Sequence, residues 1–315
     1  SRYRARMIAT FYLGVPIAQI IGAPLSVGLM ELGDAWGFVG WRLMYIVEAV
    51  PAVILGVVCY FYLTDHPADA HWLTDKQRNW LINTLAQEER NKPLVVGIQP
   101  TKGQMIRKAL CNRQVWLLAL VYFGITSGSN AMNFFMPTVL ASFRGSFGLE
   151  IGLMQNGLIT AIPYAVAAVA MIWWSRRSDR LQERHWHAGG AAMLAAVSIA
   201  VALWLNQPWI IVVGFILLAM GVYSAINVFW AVPGQVLTGV GAAVGIGLIN
   251  SIGNLSGFIG PYLTGYLFTV TGSYTPGFMV IAALVGLGGL GMVLMPRNKV
   301  SQIGAEMAPA VGGKA

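Results

Sequence analysis

Eight long apolar runs divide the chain, at about 7–30, 42–63, 116–140, 151–174, 188–205, 208–236, 242–268 and 276–295. Each is near the roughly 17–25 residues that an α-helix needs to cross bilayer hydrocarbon. They are apolar around the whole helix, whereas a helix on a water-soluble core keeps a polar face. The pattern predicts an all-α membrane protein with about eight transmembrane helices.

The longest polar interruption, 64–113, falls between the second and third runs. Within it Thr74 and Gln77 have the spacing of a capping box, and Trp80, Leu81, Thr84, Leu85 and Glu88 follow at helical spacing. A short amphipathic helix on the membrane surface is expected there. Pro93 and Pro100 then break the chain, and Thr101 and Gln104 repeat the capping spacing ahead of basic Arg107, Lys108 and Arg113. This divides the chain into 1–63, a central loop 64–113, a six-helix bundle 114–297 and a tail 298–315. Ile20 to Ser26 echoes Phe258 to Thr264 six spans later, the spacing of a repeat of six-helix halves.

Charge sets the orientation. Of 20 Lys and Arg residues, all but Arg42 and Arg144 fall in the termini and alternate connections on one side. The positive-inside rule makes that side cytosolic, so both termini and the central loop are expected in the cytoplasm. A net charge of +8 raises nucleic-acid binding, but the basic residues border spans and form no groove with stacking aromatics. Cys59 and Cys111 have no CxxC or Cys/His spacing, so neither a disulfide nor a metal site is expected. Glycine numbers 37, much of it inside spans, and the pairs Gly241/Gly245 and Gly253/Gly257 predict close approach of the seventh span to a neighbour. Pro16, Pro51, Pro137, Pro163 and Pro261 lie inside spans and permit kinks. The chain opens at Ser1 on a basic arm, Arg2, Arg4 and Arg6, directly abutting a span, as expected of a fragment whose beginning is missing.

Four stretches carry a family resemblance. GWRLMYIVEAVPA from Gly40, followed by LTDHPADAHWLT from Leu63, resembles the sixth helix and central loop of the anion:cation symporters in the major facilitator superfamily. NFFMPTVLASF from Asn133, WSRRSDRLQERHWH from Trp174 and GIGLINSIGNLSGFIGPYLTGYL from Gly245 resemble its seventh helix, its eight-to-nine loop and its eleventh helix. The pattern is most similar to bacterial carriers of tartrate, phthalate and hydroxyphenylacetate type, with Ala49 where the family commonly has Gly. The resemblance implies an incomplete major facilitator fold, the eight spans corresponding to helices 5–12 of twelve. It also implies two bundles rocking about a central cavity.

Polar side chains within the spans are the candidate site, because they are costly in hydrocarbon. Helical spacing puts Thr126, Asn130, Asn133 and Pro137 on one face of the third span, and Asn156, Thr160 and Tyr164 on one face of the fourth. Tyr223, Asn227 and Trp230 align on the sixth, Asn250 and Asn254 on the seventh. These amides, hydroxyls and rings suit an organic acid, the alternative role being hydrogen bonds between helices. The expected substrate contacts are Asn130, Asn133, Tyr164, Asn227, Trp230, Asn250 and Asn254; the last two match cavity-facing asparagines of the family. No Lys or Arg lies deep in a span, so an anion's cationic partner must come from elsewhere. The resemblance implies an arginine on the absent helices one or four. Glu48 is either a coupling proton carrier or an ion-pair partner of Arg42 or another outer-end group. The run Arg176 to Arg184 is read as a cytoplasmic loop resembling the superfamily's gate motif, with Asp179 and Arg180 as gating residues and Asp179 able to meet a helix amino end.

The reading is a proton-coupled symporter of small organic anions, such as hydroxy- or dicarboxylates or aromatic acids, in the inner membrane. No P-loop, GxSxG or intramembrane His constellation occurs, so neither a pump nor an enzyme is expected. The expected partners are the organic anion, a proton and the lipid bilayer, with no cofactor, metal or nucleic acid, and the protein acting as a monomer. The alternatives are a carrier of a neutral or cationic metabolite and a non-transporting sensor on the same fold. The eight spans alone lack half a cavity wall and are expected neither to transport nor to pack stably.

Overall fold

A computed structural model describes residues 11–37, 39–90, 110–143, 147–236 and 241–295, with 103, 106 and 107 between them. The basic arm, Pro93, Pro100, Thr101, Gln104, Lys108, Arg144 and everything after 295 lie outside the described residues. Among those described the only regular structure is helical: α1 (Gly14–Ala35), α2 (Gly40–Tyr62), α3 (Asp75–Arg90), α4 (Arg113–Ala141), α5 (Leu153–Leu181), α6 (His185–Leu205), α7 (Pro208–Phe229), α8 (Pro233–Val236), α9 (Gly241–Asn254), α10 (Ser256–Thr271) and α11 (Thr275–Leu294). Counting α9 and α10 as one span, eight helices are long and apolar enough to cross a membrane.

The chain divides into two compact units, Leu25–Thr101 and the remainder. In the first, Asp34 turns the chain from α1 into α2, its Oδ1 accepting the Gly40 N–H at 2.9 Å. The helix expected within the central loop is α3, and its capping box forms. The Thr74 N–H donates to Gln77 Oε1 at 3.1 Å, and the Gln77 N–H donates to Thr74 Oγ1 at 3.4 Å. The Arg78 guanidinium ties the preceding turn by donating to the Ala70 and Leu73 carbonyls and to Asp75.

The second unit holds the bundle of α4–α7 and α9–α11, with α4 packed against α5, α7, α9, α10 and α11. Lipid tails give apolar helices no hydrophobic reason to associate, so close backbone contact through small residues replaces it. A Cβ on Gly124 of α4 would stand 2.5 Å from the Leu284 carbonyl oxygen of α11. One on Gly253 of α9 would enter the Tyr122 ring of α4. The Gly253/Gly257 pair therefore marks where the seventh span approaches the third.

Three expectations are corrected. Residues 175–181 are the last two turns of α5 and not loop, so the connection to α6 shrinks to Gln182, Glu183 and Arg184. The cause is local: Gln182 closes the helix in the left-handed region at φ 52°, and Glu183 starts the next one. His185 and His187, read as loop residues, consequently occupy the first turn of α6. The sixth span stops at Phe229, followed by a turn and the short α8, where Pro233 cannot donate to a continuing helix.

Candidate functional site

The candidate residues separate into three groups within the bundle. The first joins α4 to α10. Thr126 Oγ1 lies 3.0 Å from Ser256 Oγ and 3.0 Å from the Gly253 carbonyl, and Asn130 Nδ2 donates to Ser256 Oγ at 2.9 Å. All sit where Gly253 and Gly257 let the helices close up, so Asn130 clasps two helices together. Asn156 does the same for α5 and α4, donating to the Pro137 carbonyl at 2.8 Å while its Oδ1 accepts from Thr160.

The second group lies mid-span. Tyr164 of α5 donates its hydroxyl to Asn133 Oδ1 at 2.7 Å. The Tyr164 ring meets that of Tyr223 on α7 edge to face, with centroids 5.9 Å apart. Tyr223 is buried, and its hydroxyl has no hydrogen-bond partner within 3.5 Å although Asn133 faces it. Asn133 itself is exposed. Asn250 and Asn254, also exposed, are linked to each other: Asn254 Nδ2 donates to the Asn250 carbonyl and to Asn250 Oδ1, both at 2.9 Å.

The third group lies toward the α7 carboxyl end. Asn227 is one turn beyond Tyr223 and donates to Ser175 Oγ, leaving its own Oδ1 buried and unpartnered. Trp230 is about 10 Å along from Tyr223 by helical rise. Its ring meets Tyr122 edge-on at 4.9 Å, while Tyr122 stacks on Phe229 at 5.0 Å. Asn227 and Trp230 belong to a different depth from Asn133 and Tyr164.

The gate-motif residues occupy the α5–α6 corner. Asp179 forms an ion pair with Arg184, and Arg180 is exposed. The carboxylate that meets a helix amino end is Glu183, which accepts the N–H groups of Trp186 and His187 at 3.0 and 3.2 Å. It also lies 3.0 Å from the buried His187 Nδ1. In the other unit Glu48 accepts from Ser26 Oγ, and Arg42 lies over the Trp41 ring at 5.4 Å. The Glu48–Arg42 pairing does not form because six residues put the two on different helix faces.

Reasoning from sequence overlooked Tyr122, Ser175, Glu183 and Ser256. Tyr122 lies four residues before Thr126, on the face already identified, and Ser256 lies on the flank of the Gly253/Gly257 seam. Ser175 carried no such signal, since its partner is 52 residues away.

The comparisons with known proteins agree with this architecture. The family model described as Major Facilitator Superfamily matches residues 1–261. Two proteins of Agrobacterium vitis that bear the name tartrate transporter are 35% identical over 98% of this chain and 66% of their own length, and 36% identical over 98% and 68%. A quinolone resistance transporter of Acinetobacter baumannii is 32% identical over 91% of this chain and 64% of its own. The chain spans about two-thirds of the length of these relatives. With spans of membrane length, close-packed glycine seams and a family match over most of its residues, the chain belongs to the major facilitator superfamily.

Proposed function

We propose that this chain works in a secondary transporter that moves a small organic anion together with protons by alternating access, with both termini in the cytoplasm. The observation that carries the reading is the set of exposed amides within membrane-length helices, Asn133 on α4 and Asn250 with Asn254 on one face of α9, in a bundle whose exposed large side chains elsewhere are hydrophobic. Exposed amides are costly against acyl chains, so these positions belong toward water or a polar solute. Val166, Val169, Trp173, Val197, Val201 and Leu287, exposed elsewhere, suit lipid.

The donors are neutral. They orient an anion without neutralising it, so the reading requires a cationic partner outside the interior of the described spans. The tartrate-named relatives favour a hydroxydicarboxylate. The relative named for quinolone resistance favours a second reading, a carrier of larger aromatic compounds. Asp179, Arg180 and Arg184 at the α5–α6 corner act on the conformational equilibrium. The test is uptake of labelled tartrate by the complete gene product in proteoliposomes, with and without an inward proton gradient. Saturable uptake enhanced by the gradient is expected. Gradient-independent uptake removes the coupling, and quinolone transport without tartrate transport selects the second reading.

A further inference from the structure

We infer that the exposed face of α5 holds one anionic phospholipid, its headgroup phosphate on Arg177 and Arg180 and an acyl chain in the groove beside Trp173. The inference requires only that the bundle spans a bilayer, and it is independent of what the protein carries.

Three observations meet on this face. The first is an open groove of about 540 Å³ lined by Ala165, Val166, Val169, Ala170 and Trp173, aliphatic apart from the indole. The second is a continuous stripe. Helical spacing puts Ile162, Val166, Val169, Trp173, Arg177 and Arg180 on one side of α5, and all six are exposed. The third is the Arg177 guanidinium, which lies 5.8 Å from the centre of the Trp173 ring and is thereby drawn back toward the groove.

Spacing along the helix matches one leaflet. Arg177 stands about 12 Å beyond Val169 and about 16 Å beyond Val166 by helical rise, and the hydrocarbon of one leaflet is about 15 Å deep. With the arginines at headgroup level, Trp173 takes the interfacial depth that its ring favours and the valines lie along the acyl chain.

Charge selects the headgroup. The acidic side chains nearest in sequence are engaged elsewhere, Asp179 by Arg184 and Glu183 by the amino end of α6. A guanidinium binds phosphate through paired N–H groups, and an anionic lipid has no ammonium of its own to neutralise that phosphate. The other occupant would be a second helix, but helices associate in lipid through small residues, as α4 does at Gly124. The centre of the α5 stripe is Ile162, Val166, Val169 and Trp173, a surface suited to flexible chains and not to close backbone approach.

The experiment places the complete gene product in phosphatidylcholine bilayers containing either phosphatidylglycerol or phosphatidylcholine brominated on the acyl chain, since bromine quenches an indole it touches. The emission of Trp173 is read as the difference between wild type and Trp173→Phe. Brominated phosphatidylglycerol is expected to quench it at a mole fraction about tenfold lower than brominated phosphatidylcholine, given two arginines at the headgroup. Arg177→Gln combined with Arg180→Gln should bring the two lipids to parity, and soluble glycerol phosphate should not relieve the quenching because it has no chain for the groove. Native mass spectrometry of the wild type, which needs no variant, should show phosphatidylglycerol retained in preference to phosphatidylcholine. Equal quenching or equal retention of the two lipids overturns the site and leaves an ordinary lipid-facing surface. Absence of quenching by either shows that protein covers the face and overturns it too. Selectivity that survives the double arginine variant overturns the headgroup assignment, and relief by glycerol phosphate overturns the role of the groove.

Discussion

Helix α5 carries polar groups at its middle and at its end, and the two sets are finished differently. At the end, Asp179 pairs with Arg184, Ser178 Oγ donates to the Glu183 carbonyl at 2.7 Å, and Glu183 caps α6. At the middle, Tyr164 is bonded to an exposed Asn133, and the neighbouring Tyr223 hydroxyl has no partner. Buried polar groups are nearly always paired, so a paired cluster is explained by structure, whereas an amide left exposed within a span points to water or a polar solute. The difference teaches where to expect binding and where to expect only stability or gating.

Substitutions that separate the two ends should do so in descending order of effect. Asn133→Asp places a carboxylate among the exposed amides proposed to meet an organic anion. Like charges in contact cost several kcal/mol, so tartrate uptake should fall at least about a hundredfold while the melting temperature in detergent stays near wild type. Retained uptake would dissolve the distinction between the two clusters. Glu183→Gln should do the reverse, weakening the α6 cap by about 1 kcal/mol and lowering the melting temperature with the tartrate KM unchanged. A KM shift there would show that the corner communicates with binding.

Asp179→Asn removes an ion pair whose side chains remain partly accessible, worth about 0.3–1 kcal/mol. It should shift the accessibility of a reporter cysteine between the two membrane faces without abolishing uptake. Cys59 and Cys111 are both exposed and must first become serine. The smallest effect is expected from Glu48→Gln. Its carboxylate accepts one hydroxyl hydrogen bond on an exposed face, and an amide oxygen accepts it equally well. Proton-driven uptake should persist, and its loss would make Glu48 the coupling group.

Much of the architecture is legible from residue order alone. The runs that predict eight spans correspond one for one to eight helices, with ends up to seven residues apart, because length and polarity in lipid leave the backbone no other way to satisfy itself. The loop read between the fourth and fifth spans is the instructive failure. Arg176, Arg177, Asp179 and Arg180 are polar enough to resemble a loop, yet polar residues are ordinary in a helix once it leaves hydrocarbon. The stop is decided by Gln182 adopting a left-handed cap, a conformation with no strong residue signature outside glycine and asparagine. The glycine seam at Gly253 and Gly257 was readable as close approach, but nothing in its spacing names Tyr122 and Asn130 as the groups approached.

Helical spacing alone established that this is a polytopic helical membrane protein, that its amides line particular helix faces, and that no positive side chain lies deep in its spans. Those properties depend on neighbours three and four residues away, and the chain encodes them directly. Which amides are engaged was decided only by tertiary structure. Asn130 and Asn133 stand three residues apart on one face, yet one is held by Ser256 and the other is open, because partners 126 and 31 residues away arrive at different heights on α4. Contacts at such separations depend on how helices cross, and helix crossing is a property of packed shapes that no local pattern records.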